Sequence, residues 1–308
     1  MFRYRFGFPA AALAALVCLA GAACSAPGSS SSSAAGGGGS SSTPSGPIKI
    51  AVVDAQSGSS SDLGQFEYRG VKLAVDQANA AGGVDGRKIA LSLLDDQGDP
   101  TVGTELARKI ASQGDIAMLG TAESAVTLAM APILQSEHIP NITSGQSTKL
   151  LALNSPYLFL NGPTGLTYDS TLAKYLVQKK GDKKIALLTN NDSYGAGEHD
   201  AFLSALKTLG ITPVADKVVP QDQTNMTPAL NAIRGADPQV LFIGAEEAQS
   251  GLTVKQARAL GLNAVIAEGA PAGTPLYLST AGVSNANGTI VSSPYLGNDV
   301  STASRKFP

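Results

Sequence analysis

Beyond residue 47 the chain alternates short apolar runs with longer stretches whose apolar positions recur every three or four residues. Residues 48–55 (IKIAVVDA) are rich in β-branched side chains and predict a buried parallel strand. Residues 64–81 place Phe66, Gly70, Val71, Ala74, Val75 and Ala78 at helical spacing. A glycine-bearing turn over 81–87 leads to a second strand over 88–95. Pro100 and Thr101 then open a helix that runs to 112, proline being favoured at the first helical position. A third strand over 116–120 follows. Strands are also predicted over 157–160, 184–189, 212–219, 239–243, 264–267 and 288–292, with helices over 168–180, 201–209, 226–234 and 250–260. Residues 190–195 (NNDSYG) read as a loop between two of these elements.

This alternation, repeated on either side of about Asn161, predicts an α/β fold of two Rossmann-like lobes with parallel sheets and a hinge between them. The first lobe is expected over 48–161 and the second over 162–288. Residues 289–308 are expected to return toward the first lobe and to leave it incomplete, so that the chain reads as C-terminally truncated. In open α/β sheets ligands sit beyond the carboxyl ends of the strands. The stretch 119–149 supplies two loops at such ends: Ser124 and Thr127 in the first, Thr143, Ser144, Gly145 and Ser147 in the second. Hydroxyls and free N–H groups near helix starts suit a small anion such as a carboxylate; Ser124 and Ser147 equally suit plain helix capping.

The N-terminus changes the picture of where the chain works. Arg3 and Arg5 precede an apolar run to Ala20, and small residues lead into Cys24. Residues 1–24 are thus an export signal, too short for a spanning helix. The ending LAGAAC resembles a bacterial lipobox, with Gly21 where a branched residue is usual, which would make Cys24 a lipidated first residue; cleavage after Ala23 without lipidation is the alternative. Residues 25–47 are Ser, Gly, Ala, Thr and Pro without a charge, a flexible tether with a reach of roughly 25–30 Å. Removal of the leader leaves 20 basic against 24 acidic residues, a net −4, which gives no support for nucleic acid as a partner. Cys18 and Cys24 are the only cysteines, so residues 48–308 hold neither a disulfide nor thiol chemistry.

Catalytic constellations are missing. The chain has no Walker A sequence, no Rossmann glycine fingerprint and no Gly-x-Ser-x-Gly elbow. His138 and His199 are the only histidines and are not spaced as a metal pair, so no metal and no cofactor is expected. Asp95 and Asp96 are adjacent in a strand end, where side chains point to opposite faces.

Several segments, in order, resemble one family: the substrate-binding proteins of ABC importers, branched-chain amino-acid (leucine/isoleucine/valine) type, with the type I periplasmic binding fold. They are Ile48-Lys49-Ile50-Ala51-Val52-Val53 with Ser57-Gly58, then Gly82-Gly83-Val84-Asp85-Gly86-Arg87, and Asp95-Asp96-Gln97-Gly98-Asp99-Pro100. Asn191-Asp192-Ser193-Tyr194-Gly195 and Gln256-Ala257-Arg258-Ala259-Leu260-Gly261 complete the set. The resemblance implies that Ser124 holds a ligand carboxylate, that Gly145 and Ser147 meet its ammonium and carboxylate, and that Tyr194 adds an aromatic contact from the second lobe. Leu63 stands where some members carry an aromatic residue. Glu246 and Glu247 stand near another usual aromatic position, and Glu268 aligns loosely with the acid that pairs the ligand ammonium. Glu246, Glu247 or Glu268 could supply that acid, although a pair such as Glu246-Glu247 is by default a surface feature.

The resemblance further implies hinge closure over an amino acid or amide-like solute, delivery to an ABC permease and its ATPase, a monomer, and an extracytoplasmic, lipid-anchored location. A ligand-sensing domain of a signalling system, or a remnant that binds nothing, are the alternatives of other classes.

Overall fold

In the computed structural model, residues 46–58 and 60–293 are described. The leader expected over 1–24, with Cys24, lies outside them, as do most of the tether and residues 294–308. The first lobe runs β1 (Ile48–Val53), α1 (Ser61–Ala80), β2 (Ile89–Leu94), α2 (Pro100–Gln113), β3 (Met118–Gly120), α3 (Ser124–Ser136), β4 (Asn141–Thr143), α4 (Lys149–Ala152) and β5 (Leu158–Leu160). The second runs α5 (Gly165–Lys174), β6 (Ile185–Asn190), α6 (Ser193–Thr208), β7 (Ala215–Val219), α7 (Thr227–Gly235), β8 (Val240–Gly244), α8 (Glu247–Ala259), β9 (Val265–Glu268), α9 (Pro275–Ala281), α10 (Val283–Ala286) and β10 (Ile290–Val291). The sheets are ordered β2-β1-β3-β4-β5 and β10-β9-β8-β6-β7, and every strand pair is parallel.

The apolar runs explain the order. Every residue of β6 and of β8 is buried, as continuous hydrophobic strands at the centre of a sheet covered on both faces must be. On one face Ile185, Leu187 and Phe242 pack against Leu172, Leu176, Phe202 and Leu206. On the other Leu188, Leu241 and Ile243 meet Leu230, Ile233, Val254 and Tyr277. The first lobe has a smaller core of Ala51, Val53, Ile110, Met118, Val126, Met130 and Leu134. Helix α2 starts where Pro100 predicts, with the Asp99 carboxylate accepting from the Thr101 N–H at 2.6 Å.

Three expectations change. Of the strand expected over 288–292 only Ile290–Val291 forms, as β10, which pairs with β9 in the second sheet, and the Ser292 hydroxyl donates to the Tyr168 carbonyl. The expected return toward the first lobe at 289 is therefore not taken through Ser292: the β-branched pair Ile290–Val291 completes the edge of the nearer sheet instead. Helix α6 begins at Ser193, inside the expected loop, because Asp192 caps it by accepting the Gly195 N–H at 2.7 Å. Residues 212–214 stay outside β7, where Pro213 has no N–H to give a ladder. Among the described residues no helix is long and apolar enough to cross a membrane.

Candidate ligand-binding site

The two hydroxyl loops do meet at the carboxyl ends of the first sheet, and their hydroxyls are engaged with one another. Thr121, Thr127 and Thr143 form a buried chain with oxygen separations of 2.9 Å, and Thr143 also donates to the Thr121 carbonyl at 2.7 Å. The Gly145 N–H donates to Thr143 Oγ1 at 3.0 Å, and buried Gly145 lies against Leu150. Ser124, the first residue of α3 rather than its cap, accepts from the Gln146 and Ser147 N–H groups, both at 3.1 Å. Ser144 donates to Glu67. At the end of β1, Asp54 accepts from the Ala122 N–H at 2.9 Å, which fixes the first loop to the sheet.

Ser147 reaches across to the second lobe, its hydroxyl donating to the Ser193 carbonyl at 2.8 Å. Glycine at 197 permits that approach, since a Cβ there would come within 2.9 Å of Ser147 Oγ. The Gly165 N–H adds a bond to the Gln146 carbonyl at 3.0 Å. Ser147→Ala removes the hydroxyl of the first of these contacts, which is worth about 0.5–1.5 kcal/mol. Titration calorimetry with a bound solute should show affinity lower by roughly two- to tenfold; unchanged affinity would separate this contact from closure.

Beside these loops, between the lobes, lies a cavity of about 530 Å³, within the range of small-molecule sites. The first lobe contributes Ser60, Gly98, Pro100, Glu123 and Ala125, and the second contributes Asn190, Asp192, Tyr194, Glu246 and Gln249 among others. Of the residues singled out in the sequence, Tyr194 and Glu246 line it. Ser124, Gly145 and Ser147, joined by the loop hydrogen bonds above, do not line it, and neither does half-buried Leu63. Glu268 is also outside it, fully buried, with one carboxylate oxygen accepting from Tyr277 Oη at 2.7 Å. Its neighbour Gly269 backs onto Tyr194: a Cβ there would stand 2.8 Å from the tyrosine oxygen and 2.9 Å from Glu198 Oε2.

The electrostatics are those of crowded, desolvated carboxyls. Burial, then Asp96 and Glu247, raises Glu123 to about 8, and the nearby Ser60 hydroxyl offsets only part of this. Burial and then Asp192, Glu247, Glu123 and Glu198 push Glu246 far above the carboxylate range. Glu247, expected on the surface, is fully buried and raised to about 7, chiefly by burial. Glu198 and Glu268 are also raised to about 7 by burial, and Asp169 is raised by burial and by Glu198. Asp54 reaches about 10 through burial and Glu67. No lysine, arginine or histidine lines the cavity among the described residues.

Glu123, Asp192 and Glu198 are the site groups that sequence reasoning passed over. Glu123 had a signal, as the one charge in an otherwise apolar and hydroxyl loop beside Ser124. Asp169 had one too, an acid on the apolar stripe of α5 with Tyr168, Leu172 and Ala173. Among the described residues no group of three His, Cys, Asp or Glu side chains converges to hold a metal ion.

The family model described as Periplasmic binding protein matches residues 47–307. The chain belongs to the periplasmic binding protein family. Its relatives include Leu/Ile/Val-binding protein homolog 3 of Brucella melitensis biotype 1, 27% identical over 79% of this chain and 66% of the relative. The Leu/Ile/Val-binding protein of Escherichia coli K12 is 29% identical over 70% of this chain and 59% of the relative. Among solved structures, the branched-chain amino acid transporter substrate-binding protein LivJ of Streptococcus pneumoniae, in complex with isoleucine, superposes with a TM-score of 0.72. It is 26% identical, over 78% of this chain and 68% of that one. The chain thus spans about three fifths to two thirds of the length of these curated relatives. The two parallel-sheet lobes are those of a type I periplasmic binding protein, and the family is one of binding proteins rather than enzymes.

Proposed function

We propose that the protein is the extracytoplasmic solute-binding component of an ABC importer, which captures an amino acid or similar small polar solute and delivers it to a membrane permease. The observation that carries this reading is the cavity, lined by residues of both lobes, in a chain of the periplasmic binding protein family. Tyr194 and Glu246 would contact the solute directly. Ser124, Gly145 and Ser147 would hold the first-lobe floor and offer their groups when the lobes part, and Glu268 would complete the acidic wall behind Tyr194. A solute bridging the lobes favours the closed form by its differential affinity for it, which is the signal a permease reads. Export through the leader, lipidation at Cys24, a monomeric state and the absence of catalysis belong to the same proposal.

A thermal-shift screen of the purified protein against amino acids, amides and small organic acids tests it. A solute at a hundred times its dissociation constant adds about 2.7 kcal/mol and a clear rise in melting temperature. No shift with any of these classes would count against a solute-binding role.

A further inference from the structure

Every charged side chain on the cavity wall is a carboxylate: Glu123 from the first lobe, and Asp192, Asp222 and Glu246 from the second. Glu123 is only 6% exposed, lines the cavity, and has a hydrogen-bond partner for neither carboxylate oxygen. Buried carboxyls in native proteins are paired, because an unpaired one forfeits its hydration without return. The titratable neighbours that act on Glu123 are Asp96 and Glu247, and those that act on Glu246 are Asp192, Glu247, Glu123 and Glu198, acids in every case, with the Ser60 hydroxyl and a backbone N–H giving Glu123 only a partial offset. Among the described residues no lysine, arginine or histidine lines the wall to neutralise it. The missing counter-charge therefore belongs to what the cavity takes.

Its shape of charge separates the candidates. A metal ion needs converging ligands, and the described residues offer no such convergence. The carboxylates instead come from both lobes, around a cavity of about 530 Å³. Acids contributed by two facing lobes suit ammonium or guanidinium groups, which donate charge-assisted hydrogen bonds to carboxylates. An uncharged aliphatic side chain would leave the acids unpaired.

We propose that the solute is an organic cation with at least two positive nitrogen groups, of the basic amino-acid or diamine class, bridged between Glu123 and Glu246. This rests on the solute-binding reading above and narrows its substrate. It also gives closure a cause: a dication favours the ionised form of both acids, and by attracting Glu123 of the first lobe and Glu246 of the second at once it favours the form in which the lobes meet around it.

The test is titration calorimetry of the purified protein with L-arginine, L-lysine, 1,4-diaminobutane and L-leucine, at low and at 0.5 M salt. At least one dication is expected to bind tenfold or more tighter than leucine and to weaken with salt. Arginine or lysine without diaminobutane would indicate that an α-carboxylate is also read; diaminobutane alone would indicate a diamine, and either result supports the proposal. Glu123→Gln and Glu246→Gln should each lower dication affinity at least tenfold. The selectivity and salt response of the unaltered protein decide the matter if either variant fails to fold. Leucine binding as tightly as every dication would overturn this inference and leave the importer reading standing. Absence of binding by all four, with no shift in the wider screen, would overturn both.

Discussion

Replacing Phe242 with alanine should lower the stability of the folded chain by about 3–5 kcal/mol, the cost of emptying a large aromatic site that cannot collapse. Phe242 is fully buried in β8, the strand held by β6 on one side and β9 on the other, so its backbone has no freedom to close the gap. The ring lies parallel to that of Phe202 from α6, with centroids 3.8 Å apart and planes 5° from parallel. Leu187, Leu206 and Leu176 belong to the same buried cluster. For a chain of this size each kcal/mol moves the melting temperature by about 2–4 °C, so calorimetry should find a fall on the order of 10 °C. A loss below about 1 kcal/mol would mean that α6 settles into the vacated space. Phe202→Ala should cost a similar amount, and the double variant less than the two together, because both substitutions open one cavity.

The elements that make up this core were legible from the sequence because burial on both faces writes itself as an uninterrupted apolar run, as in IALLT of β6 and VLFIG of β8. The start of α6 was not, for a physical reason. Gly195 and Gly197 look like loop residues, but they let other residues come close: the Asn190 side chain against Gly195 and Ser147 against Gly197. Glycine marks close approach as readily as it marks a turn. The place of the two hydroxyl loops was legible as well. Ser124 and Ser147 lie at the carboxyl ends of the strands, as the alternation required, yet they bond protein groups in this structure, one tying two loops and one tying two lobes. The acids were the least legible part. Glu246 and Glu247 carry the composition of a solvated surface pair, and only the packing of α8 beneath the cavity buries Glu247. Charge in a sequence has no burial attached to it, whereas the pairing rule for buried charge applies only once burial is known.

That buried charge gives the second large effect, a melting temperature of the unliganded protein that falls by several degrees between pH 5 and pH 8. The sign follows from linkage: a carboxyl held above its unfolded value binds its proton more tightly in the folded chain. Its contribution is complete below about pH 4 and is lost as pH rises through the folded value. The groups concerned reach about 6 at Asp96, about 7 at Glu198, Glu247 and Glu268, about 8 at Glu123 and about 10 at Asp54. Each tenfold gain in proton affinity is worth about 1.4 kcal/mol, so Glu123 alone accounts for a contribution on the order of a few kcal/mol across this window. Asp95, Asp99 and Asp237 lie below their ordinary values and so act in the opposite sense, at pH values under about 4. Scanning fluorimetry at pH 5, 6.5 and 8 checks the slope, and a flat or rising melting temperature would contradict the buried, cation-free surroundings of these acids. Glu123→Gln keeps the shape of the side chain and removes its titration, so the variant should lose part of the slope and be the more stable protein at pH 8. A residue whose neutralisation stabilises the empty protein while weakening its hold on a cation is one kept for binding at the expense of folding.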